Sequence, residues 1–326
     1  MGLGRRLYRG EIDVDFVGKQ KLWYSLSGLL LAISILGIVV NGLNLGVEFR
    51  GGSVFSFKAP AADVAEVRAT FLDEGVHQAI VQTAGDRWRV TTETLPEATV
   101  TKVQNAVVAD YKVPASQVDI QSIGASWGGE VSNQALIGLG VFMLAIILYL
   151  SMAFEPKMAL AAIVALFHDL VITAGVYAWS GFEVTPATVL GFLTILGYSL
   201  YDAVVVFDMI KEVTAKLGTT AKKTYTQAAN DALNHTLIRS LNTSLVAILP
   251  VAAILFIGTT LLGAGTLKDL ALALFVGMVV GTYSSLCVAT PLLVTLKERE
   301  PKYQAIARRL AATGGGKAKK TAAAKG

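Results

Sequence analysis

Six long apolar stretches limit what this chain can fold into. They run from about Leu22 to Leu43, Ala135 to Ala153, Met158 to Gly181, Val184 to Ile210, Ser240 to Leu262 and Leu267 to Leu296. Each is close to or above the ~20 residues with which an α-helix crosses ~30 Å of hydrocarbon. In that medium a backbone satisfies its polar groups only as a helix or a closed barrel. The expected class is therefore a polytopic α-helical membrane protein with six transmembrane helices. Composition agrees, since 53% of the 326 residues are hydrophobic and only 16% charged, unlike a soluble domain of this size. The single cysteine, Cys287, lies within the last stretch and cannot form an internal disulfide, so it reads as a packing residue.

Taken in order, residues 1–21 form a basic N-terminus carrying Arg5, Arg6, Arg9, Lys19 and Lys21, and residues 22–43 form the first transmembrane helix. That helix is expected to be a retained anchor, because its apolar run exceeds the core of a signal peptide and no A-x-A-like site follows. Residues 44–133 are less apolar. Ser53 to Lys58 alternates as a strand, Ala61 to Glu74 has helical period, and Gln78 to Thr83 and Arg87 to Thr92 flank Ala84-Gly85-Asp86 as a hairpin. A second helix from near Pro96 to Asp110 and a strand from Val118 to Ile123 complete the order βαββαβ, which predicts a ferredoxin-like α+β domain between helices 1 and 2.

Residues 134–296 hold the other five helices, with short turns at Glu155-Pro156-Lys157 and Ser180 to Pro186 and a polar loop over 211–239 with room for a short amphipathic helix. Residues 297–326 are a basic tail ending in the low-complexity run Gly314 to Gly326. The formal charge of +4 is sorted by membrane side rather than gathered for nucleic acid. Of 28 lysines and arginines, about twenty fall on segments that share a side with the N-terminus. Lys268 alone lies in the short loops opposite, and the rest are in the 44–133 domain. Both termini are expected to be cytoplasmic and the small domain extracytoplasmic.

The stretch Gly197 to Glu212 places Asp202 in an apolar run, and an ionised Asp at mid-membrane costs at least ~2.5 kcal/mol, so it is expected to face the bundle interior. Thr188, Gly191, Thr194, Tyr198 and Ser199 are predicted to share its helix face. His168 and Asp169 lie about eleven residues, or roughly 16 Å, from the cytoplasmic end of the third helix. Asp202 lies about nine residues, or roughly 13 Å, from Lys211. Three titratable groups at one depth suit a proton relay. The competing reading is that His168 and Asp169 merely satisfy each other.

Arg239, with Ser240, Asn242, Thr243 and Ser244, opens the fifth stretch and can pair with a carboxylate or snorkel to lipid phosphates; Asp208 competes with Asp202 as its partner. Gly277 and Gly281 fit a GxxxG close-packing pattern. No Walker lysine, no HExxH and no metal-spaced Cys/His set occurs, so neither ATP hydrolysis nor a metal is expected to drive the protein, and no cofactor is expected. The energy source that remains is the membrane potential and proton gradient.

Gly46-Val47-Glu48-Phe49-Arg50-Gly51-Gly52 after the first helix, His168-Asp169, Gly197 to Glu212, and Arg239-Ser240-Leu241-Asn242-Thr243-Ser244 follow in an order that resembles the SecD/SecF family of bacterial protein-translocase subunits, within the RND superfamily. Glu48, Tyr201 and Met209 depart from the residues frequent there. The resemblance implies a non-enzymatic transport subunit of the inner (plasma) membrane that uses the proton motive force. Its implied partners are SecD, the SecYEG channel, SecA, YajC, the exported unfolded polypeptide and membrane lipids, with no nucleic acid. On this reading Asp202, Arg239, His168, Asp169 and Asp208 are candidates for the relay, and Gly46, Glu48, Gly51, Gly52 and Asn242 are structural motif positions. One alternative is half of a small-molecule or lipid exporter of the same superfamily. A remoter one, an intramembrane aspartyl protease, lacks its second G-x-G-D.

Overall fold

A computed structural model describes residues 14–84, 87–217, 221–258 and 267–323. Arg5, Arg6, Arg9 and the expected end of the fifth stretch at Leu262 lie outside them. Among the described residues six helices are long and apolar enough to cross a membrane. The first span (α1, Gln20–Asn41) runs into a short strand (β1, Asn44–Leu45), one helical turn (α2, Val47–Arg50) and then the small domain.

This domain contains β2 (Gly52–Phe57), α3 (Val64–Asp73), β3 (Ala79–Ala84), β4 (Arg87–Thr92), α4 (Glu97–Tyr111) and β5 (Asp119–Ile123). The sheet order is β3-β4-β2-β5 with every neighbour antiparallel. Period-2 alternation sends Phe55, Phe57, Val81, Trp88 and Val90 to one face, where Val67 and Phe71 of α3 and Val103 and Val107 of α4 close the core. Asp63 caps α3 by accepting from the Glu66 amide at 2.8 Å.

The second span (α5, Ala125–Ala153) starts earlier than the apolar stretch at Ala135, within the range assigned above to the small domain. Its polar first turns are held by α2: Ser132 Oγ donates to the Phe49 carbonyl at 3.2 Å, and a Cβ on Gly128 would lie 2.8 Å from the Gly51 amide nitrogen. The third span (α6, Pro156–Ser180) starts on proline at N1 and stops at left-handed Gly181, two positions the sequence marks plainly. The turn beyond it contains β6 (Glu183–Val184), which pairs in parallel with β1 and ties that turn to the end of the first span.

The fourth span (α7, Pro186–Ala215) begins in a Thr185–Thr188 capping box. The fifth (α8, Tyr225–Ala253) begins in a Thr224–Gln227 box and ends in a π-turn, Ile254–Gly258. The expected polar loop with a short helix is thus mostly the fifth span itself. Ala228, Ala229, Ala232, Leu233 and Leu237 bury one face of that extension in the main core, which keeps the helix continuous through a polar sequence. Arg239 therefore lies well inside the helix instead of opening it.

The sixth span consists of α9 (Lys268–Ser284), a π-turn (Ser285–Ala289) and α10 (Thr290–Glu298); α11 (Pro301–Ala323) follows. Pro291 has no N–H to continue the α ladder, and the backbone opens to the wider turn just before it. The third and sixth spans are central, each 56% buried, against 17% for the first and second. Close approach of the fourth and sixth spans depends on the glycines of the GxxxG pattern. A Cβ on Gly277 would lie 2.2 Å from Ile195 Cδ1, and one on Gly281 would lie 3.1 Å from Ser199 Cβ.

Candidate functional site

Two carboxylates are enclosed where the third, fourth, fifth and sixth spans meet. Asp169 is 3% exposed and Asp202 4%. Asp169 Oδ2 accepts from Ser199 Oγ of the fourth span at 2.5 Å and from Ser284 Oγ of the sixth at 2.7 Å. Asp202 accepts from Ser240 Oγ of the fifth span on Oδ1 and from Ser285 Oγ of the sixth on Oδ2. Adjacent serines at the mouth of the π-turn thus hold different carboxylates, and four helices are crosslinked through two acids. Hydroxyl donors hold a carboxylate without adding charge.

His168, 4% exposed, places Nδ1 3.0 Å from Asp169 Oδ1. Its Nε2 is buried with no partner among the described residues, so the pair does not satisfy both of its members. The ring lies 6.2 Å from that of Tyr283, whose hydroxyl is 2.9 Å from Ser27 Oγ of the first span.

The expected helix face is only partly present. Thr188, Gly191, Ser199 and Asp202 are buried together and Tyr198 is half-buried, whereas Thr194 turns outward and bonds its own helix at the Leu190 carbonyl. Arg239, Asp208 and Asn242 are also exposed, and no ion pair joins Arg239 to Asp202 or Asp208 among the described residues. Of the two readings left open for Arg239, pairing with a carboxylate is not seen among the described residues of this chain: on the fifth span Ser240 faces inward, so its predecessor, about 100° around the helix, does not. Arg239 and Asp208 instead lie on the bundle's outer surface.

Gly46, Glu48, Gly51 and Gly52 form the joint between spans and sheet. The Gly46 amide donates to the Val184 carbonyl at 2.9 Å. Gly51 (φ 77°) and Gly52 (φ 142°) adopt left-handed backbone, and a Cβ on Gly52 would lie 2.4 Å from the Thr92 carbonyl oxygen. Glu48 Oε2 is buried with no partner among the described residues. Among the described residues no three His, Cys, Asp or Glu side chains are placed to hold a metal.

The model of the family described as protein export membrane protein SecD/SecF, C-terminal, matches residues 103–299, and that of the SecD/SecF GG motif matches residues 36–59. This chain belongs to the SecD/SecF family. It is 47% identical over 312 residues to the protein translocase subunit SecF of Streptomyces coelicolor, covering 95% of this chain and 84% of the relative. It is 33% identical over 301 residues to the protein translocase subunit SecDF of Thermus thermophilus, covering 89% of this chain and 40% of that one. The crystal structure of SecDF from Thermus thermophilus, a translocon-associated membrane protein, superposes with a TM-score of 0.80 at 30% identity, covering 91% of this chain and 42% of that one. The chain thus spans less than half of the SecDF chains it matches. As a SecD/SecF family member with six long apolar helices, it is a multi-pass membrane protein of the protein-export class.

Reading the sequence did not identify Ser284 and Ser285. The available signal was two adjacent hydroxyls in an apolar run shortly before a proline, which is where a helix frees backbone groups and needs polar side chains.

Proposed function

We propose that this chain is the SecF-type subunit of the Sec protein translocase, which works with SecD beside SecYEG and converts the proton motive force into late-stage export of polypeptides delivered by SecA, with YajC as a further neighbour. On this reading it lies in the bacterial inner membrane with both termini cytoplasmic. The segment from β2 to β5, residues 52–123, is an extracytoplasmic ferredoxin-like domain, a reading supported by its antiparallel order β3-β4-β2-β5 with both helices packed on one face.

The observation that carries the proposal is Asp202, buried at mid-span and held by two serine hydroxyls with no cation beside it among the described residues. An acid so placed can be neutral or ionised, and the balance shifts when a positive group approaches. Arg239 and Asp208, exposed on the outside of the bundle, are costly against lipid and fit contact with a second six-span half. Proton uptake at Asp202 would then favour one arrangement of the two halves over another.

Asp202→Asn fixes one protonation state at nearly constant shape. Its amide can still accept from one serine and donate to the other, so assembly is expected to survive while gradient-dependent export of a precursor into inverted vesicles is lost. Asp63→Asn is the control, because Asn caps α3 as well as Asp does. Normal export by Asp202→Asn, with normal dependence on the gradient, would make Asp202 a helix-packing acceptor and end the relay reading.

A further inference from the structure

Ser284 and Ser285 are the only consecutive residues among the described ones whose side chains bond two different buried carboxylates. Each hydroxyl also has a second acceptor within reach on its own helix. Ser284 Oγ lies 3.2 Å from the Gly281 carbonyl oxygen, and Ser285 Oγ lies 3.1 Å from that of Thr282. A serine that donates to an ionised carboxylate can, once that oxygen carries a proton, turn its own hydrogen onto the carbonyl and accept from the new O–H. No other atom need move. Both rotors sit where the π-turn leaves the ladder irregular, and Thr290 Oγ1 reinforces that turn by donating to the Ser285 carbonyl at 3.0 Å. Rotation of one hydroxyl changes the hydrogen bond at the carbonyl directly preceding the other's acceptor, because Gly281 and Thr282 are neighbours too.

We infer that Ser284 and Ser285 couple the protonation of Asp169 to that of Asp202, so that the two carboxylates titrate as a pair and the sixth span registers their combined state. The inference rests on the proposal that Asp202 exchanges protons in use. The ionisable groups around the serines are few. The third span brings His168 and Asp169, the fourth Asp202, and the sixth Tyr283 and Cys287; the first brings Ser27 and no charge at this level. The basic Arg239 of the fifth span faces away. Apart from the His168 imidazole beside Asp169, no basic side chain faces inward at this level among the described residues, and none bridges the two carboxylates as the serines do. Ser284 and Ser285 are positioning residues, acting through the acids they hold.

The test is a pH titration of the Asp202 carboxyl, followed by infrared difference spectroscopy with labelled aspartate, on the full chain in lipid. In an otherwise unaltered chain, Asp169→Asn is expected to move the Asp202 midpoint by about one pH unit, a tenfold change in proton affinity. In a Ser284→Ala/Ser285→Ala background the same substitution should move it by less than about a third of that. Ser285→Thr alone, which keeps both hydroxyls, should leave the shift whole. Thr173→Ala, which removes the hydroxyl bonded to the Asp169 carbonyl at 2.7 Å but touches no carboxylate, should leave it whole and so control for local loosening. An Asp202 midpoint indifferent to Asp169→Asn, or a shift undiminished without the serines, overturns the coupling. Failure of Asp202→Asn to impair export overturns the relay instead, and leaves the titration readable.

Discussion

Arg89 of β4 reaches out of the sheet to Glu183 of β6, with Nη2 2.9 Å from Oε2. This ion pair joins the small domain to the turn between the third and fourth spans. Glu183 is 13% exposed and the Arg89 side chain 32%, so the pair is neither dry nor fully screened. A charge-assisted hydrogen bond contributes about 1.5–3 kcal/mol, which partial exposure reduces towards about 1 kcal/mol. Glu183→Gln keeps the shape and one acceptor but removes the charge, so a loss of about 1 kcal/mol, or roughly fivefold in the open population, is expected. The place to read it is the Gly46 amide, which bonds the Val184 carbonyl in the adjoining β1–β6 pair. Hydrogen exchange at Gly46 should quicken about fivefold in Glu183→Gln. Exposed Glu130→Gln, on the second span, should leave it unchanged. If both substitutions quicken it alike, or neither does, the ion pair does not hold the small domain to the spans and the reasoning fails.

Gly277→Val should lower the thermal stability of the detergent-solubilised chain by about 1–3 kcal/mol, because the added atoms meet Ile195 within 3 Å. Gly197→Ala, with nothing within 4 Å of its new methyl, is the control and should be neutral or better. Stability equal to the parent's would show that the two helices simply move apart. Just beyond the sixth span, burial pushes the Glu300 carboxyl up, but hydrogen bonds from Lys157 and Lys297 outweigh it and hold the group below the usual glutamate range. A depressed carboxyl stabilises above its unfolded value and stops doing so as pH falls through its folded one. Attachment of α11 should therefore be intact at pH 7 and weaken below about pH 4, seen as faster amide exchange at Tyr303. Glu300→Gln should show the weakened state at neutral pH.

Most of the architecture was legible because the bilayer and the pleat impose strong periods. Six apolar runs, the Pro156 start and Gly181 stop of the third span, and the alternation through Phe55 and Phe57 each follow from local rules. The strand order was not local, since β2 pairs with β4 and β5 across about thirty and seventy residues of chain. Span ends were misread where a polar sequence continues a helix. Ala125 to Gln134 and Tyr225 to Arg239 are helical because α2 and the main core cover one face, and hydropathy does not register such tertiary cover. The buried acids were legible as isolated charges in apolar runs. Their partners were not, because Ser199, Ser240, Ser284 and Ser285 come from three helices whose rotations the sequence leaves undefined. The direction of Arg239 was left open for the same reason: one residue of difference in register separates the inward Ser240 from an outward arginine.

The sixth span connects the two places where this chain carries unusual chemistry. At its N-terminal end the Asp269 carbonyl accepts from Tyr177 Oη at 3.2 Å, beside the turn that bears Glu183. Roughly 24 Å further in, at 1.5 Å per residue, Ser284 and Ser285 meet both carboxylates. Between these points Gly277 and Gly281 bring Ile195 and Ser199 of the fourth span into contact, so the fourth and sixth helices share one tightly fitted seam. A seam packed at that density has a few discrete arrangements and little room for continuous slip. A displacement of the fourth span on protonation of Asp202 would therefore be carried by the sixth as well, and would arrive at the Tyr177 contact and the β1–β6 pair. There it would meet the Arg89–Glu183 link. The link from the sheet to that turn is one partly exposed ion pair of about 1 kcal/mol, weak enough for a single protonation event to open it, whereas the joint around Val47, Val54 and Ile123 is apolar and would follow as a hinge.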